Sequence, residues 1–217
     1  MITDFLMNYL AKAEGTNVHY NKNEQDITSP YGIYRQAHPT AKIFESIDNA
    51  ARAIGLTSKS FQWQKADLDR LNDYLVINNL MANLRAQAQD FYDGYFAKFP
   101  LDKFPELCQV AVFSCYVNSP KLAARAVQEA INQLISNGLV SLQPLTADGI
   151  FGVGSTSALS AVVSFYIGSS RDRALYFESL ILFNMSRAYA QLVVDNPTRN
   201  ITYLRGWLNR LELLTRQ

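Results

Sequence analysis

Apolar residues recur three and four positions apart along most of this 217-residue chain, in segments that glycine or proline interrupts. That spacing lays one apolar stripe along each segment, which suits helices and not strands. Ile2, Phe5, Leu6, Tyr9, Leu10 and Ala13 form the first stripe; Thr3 can cap it and Gly15 stops it. The spacing returns at Ile43, Ile47, Ala50, Ala51 and Ile54, with Gly55 as the stop. One long helix is expected from Asp67 through Leu71, Leu75, Leu84, Ala88, Phe91 and Tyr92 to Phe96. Residues 106–117 have almost no polar face and read as a buried helix. Ser119-Pro120 opens the next helix, which ends at Asn137-Gly138. Further helices are expected from Ser155 to about Ile167, over roughly 170–194 and over 199–215. Residues 16–40 and 148–152 lack the period, and the first of these has room for a short hairpin. The chain is therefore expected to be mainly α, with a small loop or hairpin region after the first helix.

Several classes are excluded or made improbable by composition. A formal net charge of +1 gives no field that would gather nucleic acid. No apolar run is long enough for a membrane span, and the first residues lack the pattern of a secretory leader. Cys108 and Cys115 lie seven apart on one helix, about 10 Å between Cα atoms at 1.5 Å per residue, too far for a disulfide. Both read as reduced core residues. His19 and His38 stand alone, so no metal site is expected, and no cofactor is implied.

The chemistry in the sequence gathers at the first helix end. Glu14 follows Leu10 by one turn and so sits on or beside the apolar stripe, where a carboxyl is costly to ionise. The loop that follows carries Glu24 and Asp26, then Ser29-Pro30-Tyr31-Gly32-Ile33. A carboxyl that can hold a proton, with a second carboxylate across a gap, is the equipment for cleaving a glycosidic bond.

Glu14-Gly15 followed by Tyr31-Gly32-Ile33 resembles the Glu-Gly-Gly…Asp-x-Gly-Gly-x-Thr-x-x-Gly-Ile opening of phage and bacterial N-acetylmuramidases, a lysozyme-like family. Tyr92-Asp93-Gly94-Tyr95-Phe96 is similar to that family's Tyr-x-x-Tyr-Trp, and Val112 to Ser119 to its hydrophobic helix ending in Val-Asn-x-Gly. Ala126-Val127-Gln128, Asp148-Gly149-Ile150-Phe151-Gly152 and Thr156 to Leu159 resemble its peptidoglycan-binding-like segment. Gly206-Trp207-Leu208-Asn209-Arg210-Leu211 resembles its terminal Gly-Trp-x-Asn-Arg-Val. The matches keep one order over about residues 3–213. Thr16 replaces the second glycine, and the Asp-x-Gly-Gly stretch is eroded. Counting back from Gly32 puts Glu24 at the family's aspartate, and counting forward from Glu14 gives Asn23. Ser29 falls at the threonine.

The resemblance implies a lysozyme-like helical fold and cleavage of the β-1,4 bond between N-acetylmuramic acid and N-acetylglucosamine in peptidoglycan strands. Glu14 would be the general acid and Glu24 or Asp26 the second carboxylate. Ser29 would hold the attacking water, and Tyr31 and Tyr34 would line the sugar groove; core packing is the competing account for the tyrosines. Residues 1–104 would form the catalytic region and 105–217 a helical region packed against it in a monomer. A protein made in the cytoplasm without a leader, reaching the wall through a holin or carried on a virion, would fit. A lytic transglycosylase, which can run on one glutamate, and a non-catalytic wall-binding or regulatory protein are the rivals.

Overall fold

Helix α1 runs Asp4–Glu14 and begins as expected, with the Thr3 hydroxyl accepting a hydrogen bond from the Leu6 amide at 3.4 Å. Gly15, at φ +85°, turns the chain out of the helix in a conformation that favours glycine. The computed structural model describes residues 3–21, 26–56, 64–198, 200, 201, 204 and 208. Glu24 and the terminal Trp207 and Arg210 lie outside the described residues. The chain is mainly helical, and it divides into two compact units, Met1–Ala97 and Lys98–Gln217.

In the first unit, β1 (His19–Asn21) pairs antiparallel with β2 (Asp26–Thr28), setting His19 opposite Thr28 and Tyr20 opposite Ile27. This two-stranded hairpin is the only sheet among the described residues. A 3-10 turn over Pro30–Gly32 follows it. Helices α2 (Lys42–Ala53), α3 (Lys65–Ile77) and α4 (Met81–Tyr95) complete the unit. Leu6 and Leu10 of α1, Ile43 and Ile47 of α2, Leu71 and Leu75 of α3 and Leu84 of α4 are each buried, with α2 packing on α3 and α4. Removing such a side chain from water contributes about 1.5–3 kcal/mol.

The single helix expected from Asp67 to Phe96 is two helices. Asn79 stands at φ +56°, and the Leu80 amide donates to the Leu75 carbonyl at 2.9 Å, closing α3 before α4 begins. Asparagine tolerates this left-handed conformation better than other residues with a side chain. Val76 and Ile77, at the end of α3, are 59% and 76% exposed.

In the second unit, α5 (Glu106–Asn118) is buried along Cys108, Ala111, Val112, Phe113 and Cys115, while Leu107 is exposed. It packs on α6 (Pro120–Ser136) and α8 (Arg171–Asp195), which also pack on each other. Both cysteines are free, and burial pushes each thiol up to about 12. Pro120 occupies the first turn of α6 as expected, but the Ser119 side chain makes no capping bond. Helix α7 (Val153–Ala161) starts two residues before Ser155 and runs into a π-helical turn over Val162–Ile167. Among the described residues, no helix is long and apolar enough to cross a membrane.

Candidate active site

The end of α1 and the turn after the hairpin meet, although 15 residues separate Gly15 from Tyr31 and Gly32 in the chain. The Tyr31 amide donates to the Gly15 carbonyl at 2.9 Å. Gly32, at φ +80°, lies directly against the Glu14 side chain. A Cβ placed on Gly32 would come within 2.7 Å of Glu14 Cγ and 2.9 Å of Glu14 Cβ. Only glycine leaves that space, so the close approach fixes where the Glu14 stem lies. Glu14 itself is half-buried, which leaves its carboxyl within reach of solvent.

The turn is strained and tightly held. Tyr31 has φ 68° and ψ 16°, a left-handed conformation that costs a residue with a Cβ about 1–2 kcal/mol. The Tyr92 hydroxyl, buried on α4, donates to the Tyr31 carbonyl at 2.7 Å. Both peptide groups flanking Tyr31 are thus tied, one to the end of α1 and one to α4. The Ser29 amide donates to the Ile33 carbonyl at 2.9 Å and closes the base of the turn.

Two other helices hold the hairpin's ends. Asn72 of α3 pairs with Val18 through both amide groups: Val18 N donates to Asn72 Oδ1 at 2.8 Å, and Asn72 Nδ2 donates to the Val18 carbonyl at 2.9 Å. Arg35, buried against the Phe44 ring, donates to Asp48 of α2 at 2.6 Å. Four helices therefore position the segment that carries the candidate residues.

The structure separates those residues by role. Ser29 is fully buried, and its hydroxyl donates to the Pro30 carbonyl at 2.9 Å, so its proton is engaged in bracing the turn. Tyr31 is 5% exposed, and its hydroxyl faces Arg85, which also pairs with Asp4 at 2.9 Å. It packs in the core and offers no ring face to a sugar. Tyr34 is half-buried and bridges to Thr28. Asp26 is half-buried at the start of β2, with Oδ1 accepting from the Ile27 amide at 2.7 Å.

Sequence reasoning missed Thr28. Its hydroxyl is buried, 6% exposed, and has no hydrogen-bond partner. A buried polar group in that state is a place for a bound water. It also missed Asn72, whose only signal is a polar residue four positions after Leu68 on the inward face of α3.

Of the aromatic cluster on α4, Tyr92 and Phe96 are core, whereas Tyr95 is half-buried and stacks on Phe91 at 5.8 Å. His38 meets the Phe91 ring edge at 4.8 Å, and burial lowers its pKa.

The 148–152 loop of the second unit is anchored by Gln128, buried on α6. Gln128 Nε2 reaches Asp148 Oδ1 at 3.1 Å, the Ile150 carbonyl at 3.0 Å and Ser155 Oγ at 3.0 Å, while Oε1 accepts from the Gly149 amide at 2.9 Å. The Ile150 amide, and then Gln128, hold the Asp148 carboxyl below its ordinary range. Phe151 is half-buried against Phe99, 4.9 Å between ring centroids.

No family model, curated protein or solved structure matches this chain. Among the described residues, no group of three or more His, Cys, Asp or Glu is placed to hold a metal ion. What the site offers is a half-buried glutamate whose stem packs on the Pro30–Gly32 turn, next in the chain to a hairpin whose described residues carry one carboxylate, Asp26.

Proposed function

We propose that this chain is a peptidoglycan hydrolase of the lysozyme type, cleaving the β-1,4 bond between N-acetylmuramic acid and N-acetylglucosamine, with Glu14 as the proton donor. The packing of Glu14 on Gly32 is the observation that supports this most. It unites the Glu-Gly and Tyr-Gly-Ile segments on which the resemblance to N-acetylmuramidases rests, and it gives the carboxyl the fixed position that proton transfer to a leaving oxygen requires. The second carboxylate is Asp26, on the second hairpin strand, or Glu24, two positions earlier in the sequence. In this reading the water-holding hydroxyl passes from Ser29 to Thr28, and Tyr34 is the tyrosine left to meet sugar. The protein would act on the cell wall, released through a holin or carried on a virion.

The engagement of Asp26 Oδ1 by the Ile27 amide favours one other reading, a lytic transglycosylase that works with Glu14 alone. Mass spectrometry of peptidoglycan digested by wild type and by Glu14→Gln separates the two. Reducing muramic acid ends from wild type only are expected of the hydrolase. Anhydro ends would establish the transglycosylase, and wall binding without cleavage by wild type would overturn both.

A further inference from the structure

A pocket of about 280 Å³ in the first unit opens between α2, the end of α3 and α4, and none of its lining residues belongs to α1 or to the 26–34 segment. Its floor is apolar: Ala50, Leu75, Leu80 and Leu84. Its remaining lining is Ser46, Asn49, Tyr74 and Asn83, so no charged side chain lines it. Small-molecule sites combine such a floor with a few convergent polar groups, commonly in about 300–1,000 Å³. This one stands at the low end, with room for one ring.

The polar groups are not spent within the protein. Gln87 Nε2 donates to Ser46 Oγ at 2.8 Å, and among the described residues nothing takes up the Ser46 hydroxyl proton. Arg52 holds Asn49 Oδ1, which leaves Asn49 Nδ2 as a donor. Among the described residues, the Tyr74 hydroxyl and the amide of the exposed Asn83 have no protein partner. Gln87 Oε1 is buried without a donor although its Nε2 is bonded, so this corner of the unit is short of a hydrogen-bonding partner.

We propose that this pocket binds an uncharged monosaccharide, one C–H face on the leucine floor and its hydroxyl or acetamido groups on Ser46, Asn49, Tyr74 and Asn83. The neutral lining selects against ammonium and carboxylate ligands, which would lose hydration with no counter-charge to replace it. A pyranose carries both the apolar face and the ring of donors and acceptors that the walls lack. The site stands apart from the proposed catalysis and does not depend on it.

N-acetylglucosamine titrated into the full chain, followed by amide NMR, tests this. The expected result is saturable shifts confined to residues 46–50 and 74–84, with a millimolar Kd. Asn83→Leu and Tyr74→Phe should each weaken binding at least 5-fold with unchanged melting, and Glu14→Gln should leave it unaltered. Protonated glucosamine should bind at least 5-fold more weakly. No shift in the pocket at about 0.1 M sugar, a hundredfold above a millimolar Kd, would overturn the proposal. So would shifts confined to residues 14–34, or equal binding of glucosamine. Peptidoglycan cleavage is read separately, so loss of one finding leaves the other standing.

Discussion

Each unit contains an irregular segment pinned by a helical asparagine that copies a backbone partner, yet the two segments are built to different ends. In the second unit, Asn132 pairs with Leu145 through both amide groups, at 2.9 and 2.7 Å, and Gln128, one turn earlier on α6, gathers the 148–155 loop. One helix does the holding, and the loop's buried polar atoms find partners there. In the first unit, Asn72 pairs with Val18 in the same manner. There the 26–35 segment is held by four helices, keeps Tyr31 in a left-handed conformation and leaves the Thr28 hydroxyl without a partner. A loop whose polar groups are all met serves the fold. The 26–35 segment retains strain and an unmet buried hydroxyl, the kind of departure from local rules expected where a segment serves more than the fold.

Glycine substitutions should separate the two segments most sharply. Gly149, at φ +78°, would place a Cβ 2.6 Å from the Lys121 carbonyl oxygen, a backbone atom. Gly149→Ala should lower stability by at least 2 kcal/mol or so, the left-handed cost plus the clash, and should cost activity only through lost folded protein. Gly32→Ala, at φ +80°, meets Glu14 Cγ and Cβ, the near end of that side chain and not its flexible tip, so its stability cost should be of similar size, about 2 kcal/mol. Displacing Glu14 should cut the specific activity of the folded protein about 10²-fold. Chemical melts with rates normalised to folded protein check both, and the comparison breaks if Gly32→Ala keeps full activity.

Gln128→Ala comes next. It strands the Gly149 amide and removes the bonds to Ile150 and Ser155, so unfolding free energy should fall by about 1–3 kcal/mol with catalysis per folded molecule unchanged.

Thr28→Val and Ser29→Ala sharpen the assignment of the water-holding hydroxyl. Thr28→Val should leave stability equal or slightly raised, since it deletes an unmet polar atom, and should reduce turnover. Ser29→Ala should cost about 1 kcal/mol through the lost bond to Pro30, with turnover kept. The reverse pattern in steady-state rates returns that role to Ser29.

A pH dependence that touches neither segment comes last. Burial pushes the Glu178 carboxyl, on α8, up to about 7. Its folded pKa therefore exceeds the unfolded one, near 4.5. Between those values the folded state binds more protons, so stability falls as pH rises from about 4.5 to 7. In melts across that window, Glu178→Gln should flatten the slope and should be the more stable form at pH 8.

Most of the helical architecture was legible because Gly15, Gly55, Pro120 and Gly138 stop apolar stripes at fixed offsets. The break at Asn79 was not, because asparagine does not demand a left-handed conformation as glycine nearly does. At the site, Glu14-Gly15 and Tyr31-Gly32 were legible as pieces. Their contact was not, because residues 16–40 carry no period that fixes which atoms meet. The burial of Ser29 and Tyr31 follows from that contact and from Tyr92, whose hydroxyl reaches across 61 positions of sequence.

The rate of reducing-end release from purified peptidoglycan, compared between wild type and Glu14→Gln with matched melting curves, tests the central claim most directly. A general acid contributes about 10²–10⁴-fold, so the variant should lose that much while still folding. Equal rates from the two proteins, or no release by wild type, would contradict the assignment of Glu14.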